Sequence, residues 1–222
     1  MKEIKSKGNP FLERLLYGDG SWYFSRDYPS GDLYEAEEIF ADGKIPSGTT
    51  LLLISYPDGN VYEPLPKAEG VVIEDPIYSE GAVCILSVDF PDGLIRIHKF
   101  DTQTKKTDQI FEMPLSEVKD CYNLKIHGEP LILTRQGKED VLDIIWPEKG
   151  TIKMDSHDSF FLRKGNKLVF ASWQEDPDYR SEIVIRDLEG NELSRMDGDI
   201  WVMPNGEWWH LGGDEKEETV DV

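Results

Sequence analysis

The stretch Asp158-Ser159-Phe160-Phe161-Leu162-Arg163-Lys164-Gly165-Asn166-Lys167-Leu168-Val169-Phe170-Ala171-Ser172 decides the fold. An apolar run enters a polar turn that ends in glycine, and a strongly apolar run leaves it. Glycine tolerates the positive φ that a tight hairpin demands, so the stretch predicts two antiparallel strands. Farther along, Ser181–Met196 alternates apolar and polar residues, turns at Glu189-Gly190-Asn191 and returns as a polar strand. Two hairpins in succession make a four-stranded antiparallel unit of roughly forty residues, the size of a propeller blade.

The first hairpin's pattern occurs six times in all, with turn glycines at Gly20, Gly48, Gly81, Gly128, Gly165 and Gly206. The second recurs over Leu94–Phe111 and Val141–Met154. A lone unit has two open edges and a bare apolar face, and radial stacking of several units removes both faults. The expected fold is therefore an all-β propeller of about five four-stranded blades, with a six-bladed ring or a hairpin-built β-sandwich left open. Units over 43–75, 76–120, 121–156 and 157–199 supply four blades. Residues 21–42, read as two strands, and 200–211 are expected to share the fifth and close the ring. Residues 1–20 form a leading segment with a short helix over 11–16, started by Asn9-Pro10, and Pro114–Lys119 carries a further helical turn. Residues 212–222 form an acidic tail, expected to be solvated.

The unit from Asp158 resembles the TolB-type, WD-repeat-like β-propeller family. The strand-turn-Gly-strand of Phe160–Ser172 and the strand-Asp-x-x-Gly of Ile183–Gly190 carry the likeness. The family's Trp-Ser-Pro-Asp-Gly turn is absent, so the resemblance implies the fold and transfers no functional residue.

Composition narrows the function. The 222 residues carry 44 acidic and 24 basic side chains, a net charge of −20, while 6 Trp, 9 Tyr and 9 Phe supply core area. That charge disfavours nucleic-acid backbones and anionic membrane surfaces. Two cysteines, Cys84 and Cys121, read as reduced thiols, and no apolar run suits a signal peptide or a membrane span, so a cytoplasmic protein is expected. No nucleophile elbow, phosphate loop or dinucleotide fingerprint appears, and none of His98, His127, His157 and His210 stands at metal-ligand spacing to another. No cofactor is called for.

One pattern remains. Asp42, Asp75, Asp120, Asp158 and Asp199 precede their turn glycines by six, six, eight, seven and seven residues. In a propeller these positions gather at one mouth of the central channel, where like charges would attract a metal ion, an amine or a sugar. Alternatively each Asp caps its turn by accepting backbone N–H groups, and that reading is favoured. The expected function is a non-catalytic binding module for a cationic or polar protein, peptide or small ligand. A carbohydrate-active hydrolase using channel carboxylates and Trp platforms is the alternative. A structural or regulatory protein without a small ligand is a third.

Overall fold

The structure is a computed structural model that describes residues 3–9, 11–15, 18, 20–128, 130–175, 179–203 and 207–212. The chain is all-β and of the β-propeller class. It divides into two compact units, 1–126 and 127–222.

In the first unit, β1 (Glu13–Arg14), β2 (Trp22–Arg26), β3 (Leu51–Ser55) and β4 (Val61–Tyr62) form one antiparallel sheet in chain order. Helix α1 (Leu33–Ala41) interrupts it between β2 and β3. The next sheet holds β5 (Val71–Ile73), β6 (Ile77–Ser79), β7 (Ala82–Asp89), β8 (Leu94–Asp101) and β9 (Thr107–Pro114). Both β5 and β6 pair with the same edge of β7, so they are one edge strand broken in two. Pro76 lies in the break, where its missing N–H ends the ladder. Period-two alternation sends Trp22 and Phe24 of β2 and Leu51 and Leu53 of β3 into one cluster. Ile73, Val83, Ile85 and Phe100 join them from the second sheet. Trp22 meets the Phe100 ring edge-on at 5.6 Å. Blade stacking thus creates a core that neither sheet has alone.

The third sheet runs β10 (Leu124–His127), β11 (Ile132–Gly137), β12 (Val141–Trp146), β13 (Gly150–Lys153). The fourth runs β14 (Asp158–Lys164), β15 (Lys167–Gln174), β16 (Arg180–Asp187), β17 (Glu192–Asp197). In the second unit Leu142, Ile144, Ile152 and Met154 of one sheet pack on Leu168, Phe170 and Val184 of the other. A two-stranded sheet, β18 (Asp199–Val202) with β19 (Trp208–Leu211), ends the described chain.

The described residues therefore contain four complete blades rather than about five. Of the segments expected to share a blade, β2 is hydrogen-bonded between β1 and β3, and β18 pairs with β19. The strand expected near 32–39 is α1 instead. Asp32 accepts the Glu35 N–H at 2.8 Å, and the Glu35 carboxylate accepts the Asp32 N–H at 3.0 Å. This reciprocal capping box satisfies two backbone donors and starts a helix that buries Leu33 and Ala36. The helix expected at 11–16 is replaced by β1, where Arg14 pairs with Tyr23, and Leu15 enters the core cluster. The turn expected near 114–119 is the 3-10 helix Leu115–Glu117.

Three turn glycines have the left-handed backbone expected of them: Gly20 and Gly81 at φ +80° and Gly165 at φ +56°. Gly48 differs, since its φ is ordinary. A Cβ there would lie 1.8 Å from the Ala68 carbonyl oxygen, so close backbone approach demands glycine at this position. Gly128 is buried in the turn between β10 and β11. Gly206 and the tail after Gly212 lie outside the described residues. Among the described residues no helix is long and apolar enough to cross a membrane.

Candidate functional site

The five aspartates do not share one environment. Asp42 is the exposed C-cap of α1, and its backbone N–H bonds the Glu38 carbonyl at 3.0 Å. Asp120 accepts the Tyr122 N–H at 3.0 Å, which is the capping role. Asp199 opens β18 and is exposed. Asp75 and Asp158 are different, because each meets a buried arginine. Arg26 Nε stands 2.9 Å from Asp75 Oδ1, and Arg186 Nη2 donates to Asp158 Oδ2 at 2.8 Å. No group of three or more His, Cys, Asp or Glu among the described residues could hold a metal ion.

Buried or half-buried arginines paired to carboxylates recur in every blade. Arg26 bonds the Ile73 carbonyl and faces Glu74 at 3.7 Å as well as Asp75. Arg96 joins Asp89 at 2.9 Å to Glu112 at 2.8 Å across β8 and β9. Arg135 meets its cross-strand neighbour Asp143 at 3.2 Å. Arg186 is the fourth. A guanidinium removed from water needs such partners, since an unpaired buried charge is strongly unfavourable. The signal was present in the sequence as a lone Arg inside or ending an apolar strand: Trp22-Tyr23-Phe24-Ser25-Arg26, Leu94-Ile95-Arg96-Ile97, Ile132-Leu133-Thr134-Arg135 and Ile183-Val184-Ile185-Arg186.

Around Arg186 the pairing extends into a surface cleft of about 390 Å³, lined by Asp155, His157, Ser172, Gln174, Arg180, Glu182 and Arg195. The register of β15 and β16 sets Ser172 opposite Glu182 and Gln174 opposite Arg180, so all four share one face of the sheet. Arg180 lies 3.2 Å from Glu182 and donates to Gln174 Oε1 at 2.6 Å. Arg195 donates to the other Glu182 oxygen at 2.8 Å and stands 3.6 Å from Asp155. Asp155 in turn contacts Arg186 at 3.2 Å, which holds Asp158. Cations and carboxylates thus alternate from Arg180 through Glu182, Arg195, Asp155 and Arg186 to Asp158. Two of the buried atoms in this chain, Asp158 Oδ1 and Arg186 Nε, have no hydrogen-bond partner. Hydrogen bonds that Arg195 donates to Glu192 and Glu182 raise its guanidinium well above its ordinary range, and Arg195 lowers Glu192. Trp173, about half exposed, meets the His157 ring edge-on at 5.9 Å beside the cleft.

In the other unit, burial is the main cause raising the Glu74 carboxyl above its usual range, against the lowering pull of Arg26. Burial likewise pushes the Cys84 thiol up to about 11, which disfavours the reactive thiolate. Both cysteines are buried, and neither forms a disulfide.

No family profile matches the chain, and no curated protein matches it. Among solved structures it is similar to the crystal structure of Porphyromonas gingivalis dipeptidyl peptidase 4, at 12% identity and a TM-score of 0.44. The alignment covers 90% of this chain and 33% of that one, so the chain spans about a third of the length of the peptidase.

Proposed function

We propose that the chain is a non-catalytic binding module that takes a polar or cationic partner at the cleft on the β14–β17 sheet. The alternation of Arg180, Glu182, Arg195 and Asp155 carries this reading. Its members hold one another in place, so donors and acceptors are preorganised before a partner arrives. They also cancel one another's charge, while the chain as a whole keeps −20. A basic partner is then attracted over distance by the acidic surface and oriented locally by the fixed polar groups.

The hydrolase alternative requires two carboxylates free to act as acid and as base or nucleophile. Glu182 and Asp155 are instead each engaged by guanidinium groups, which favours recognition over catalysis. Two buried cysteines outside any disulfide support a reducing, cytoplasmic setting.

Calorimetric titration with a panel of basic, neutral and acidic peptides tests the reading. Basic or neutral peptides should bind, more weakly as salt rises, and Glu182→Gln should lower affinity about tenfold. Preference for acidic peptides, or equal binding by Glu182→Gln, would overturn it. Turnover of glycosides by the purified protein would favour the hydrolase instead.

A further inference from the structure

We infer that a second cleft, on the face of β2 and β3 opposite their core cluster, is a binding site for a neutral carboxamide attached to a flat apolar group. The strand alternation that buries Trp22 and Phe24 turns Ser25 to the opposite face, where it lies in register with Leu52. Ser6, Lys7, Gly8, Asn9 and Phe11 border this face. The Asn9 N–H bonds the Ser6 carbonyl at 3.0 Å, and Lys7 is tied to Glu63 at 2.6 Å. The cleft has a volume of about 410 Å³, and Ser25, Thr50, Leu52, Asn9, Phe11 and Tyr28 line it.

Besides Arg26 Nε, which has Asp75 at 2.9 Å, two buried polar atoms in this lining lack partners. Ser25 is 2% exposed and its Oγ makes no hydrogen bond; Asn9 is half-buried, and its buried Nδ2 atom makes none either. The orientation of the Asn9 amide is fixed, because the Phe11 N–H donates to Oδ1 at 3.2 Å and so leaves the nitrogen as the unmet atom. Nδ2 can only donate, and the Ser25 hydroxyl is able to donate. Buried donors without acceptors are unfavourable, so the cleft is complete only when a guest brings an acceptor oxygen.

The guest's charge follows from the neighbours. Arg26 is turned to the Ile73 carbonyl, Glu74 and Asp75. Asp27 accepts the Thr50 N–H at 2.6 Å and pairs with Lys67 at 3.2 Å. Lys7 is held by Glu63. Each full charge bordering the cleft already has its opposite, and the chain's −20 repels anions, so a carbonyl oxygen is favoured over a carboxylate. Two accessible rings, Phe11 at 65% and Tyr28 at 45% exposure, flank the donors and offer faces for a planar apolar group. The Tyr28 ring is itself stiffened, with the Arg26 guanidinium 4.0 Å above it and its hydroxyl donating to Asp75 at 3.1 Å.

Benzamide and benzoate, matched in shape and different in charge, are the probes. In the intact, isotope-labelled protein, benzamide should give saturable shifts at the Asn9, Ser25 and Thr50 amides. Benzoate should give none. Ser25→Ala should keep a folded spectrum and bind benzamide at least fivefold more weakly. Its melting temperature should equal or exceed that of the parent, because the hydroxyl has no partner to lose. Unsaturable benzamide shifts, benzoate binding as well as benzamide, or unchanged affinity in Ser25→Ala would each overturn the inference. So would a marked fall in melting temperature of Ser25→Ala, which would show that the hydroxyl is already satisfied.

Discussion

The hairpins β6–β7 and β18–β19 have the same sequence signature and opposite fates. In sequence both place a glycine, Gly81 or Gly206, shortly before a strongly apolar run. Yet seven of the eight residues of Ala82–Asp89 are buried, whereas Trp201, Trp209 and Leu211 are each more than half exposed. Strand β7 is hydrogen-bonded to β5 and β6 on one edge and β8 on the other, and its Val83 and Ile85 face a neighbouring sheet. Strands β18 and β19 are paired only with each other among the described residues. Apolar patterning thus states what a strand can bury, and the surrounding sheets decide what it does bury.

Charge follows the same divide, and it gives the largest expected effect. Arg186→Ala should strand the Asp158 carboxylate, whose side chain is fully buried, and cost about 3–5 kcal/mol in denaturant unfolding. Arg180→Ala, on an exposed side chain, should cost about 1 kcal/mol or less. Equal costs would break the comparison. Next, Ile85→Ala should cost about 2–5 kcal/mol, because Ile85 is 0% exposed and its neighbours cannot collapse fully. Trp201→Ala removes a larger side chain, yet should cost about 1 kcal/mol or less, since Trp201 is 59% exposed.

A smaller effect isolates the turn. A side chain at Gly81 would meet nothing within 4 Å, so Gly81→Val should lose only what the φ of +80° demands, about 1–2 kcal/mol. A loss near zero in a thermal melt would mean that the turn does not hold a left-handed residue. The smallest effect is a pH dependence beside β7. Burial first, and the Arg96 charge second, hold His98 below its ordinary value of 6.5, while its Nε2 lies 3.2 Å from Ser87 Oγ. The folded state therefore resists protonation of His98 more than the unfolded chain does. Its contribution is present above 6.5 and fades as pH falls through that value toward the lower folded-state one. Between pH 7.5 and 5.5 the parent should lose more thermal stability than His98→Gln. Identical slopes would remove His98 from the account.

Local chemistry made part of this legible. The second hairpins over Leu94–Phe111, Val141–Met154 and Ser181–Met196 became β8–β9, β12–β13 and β16–β17, because a turn and its flanking strands are settled within about fifteen residues. The N-terminal region shows the opposite case. The partner of Trp22–Arg26 is Leu51–Ser55, reached across a helix that the Asp32…Glu35 capping pair starts. The spacing of the aspartates marked Asp75 and Asp158. It did not reveal their arginines, since Arg186 lies 28 residues from Asp158 and only the folded sheet brings them together. Ser25, one position from Arg26, carried no signal of its own. Its interest comes from a face covered by residues far earlier in the chain.

Native-state hydrogen exchange tests the central claim, that stacked sheets protect the blades and leave the last hairpin uncovered. Amides of Ala82–Asp89 and Lys167–Gln174 should exchange only through opening close to global unfolding, while those of Asp199–Val202 and Trp208–Leu211 should exchange orders of magnitude faster. Uniform protection across all four segments would contradict it, for that pattern requires the terminal hairpin to be covered as fully as the strand at the heart of a blade.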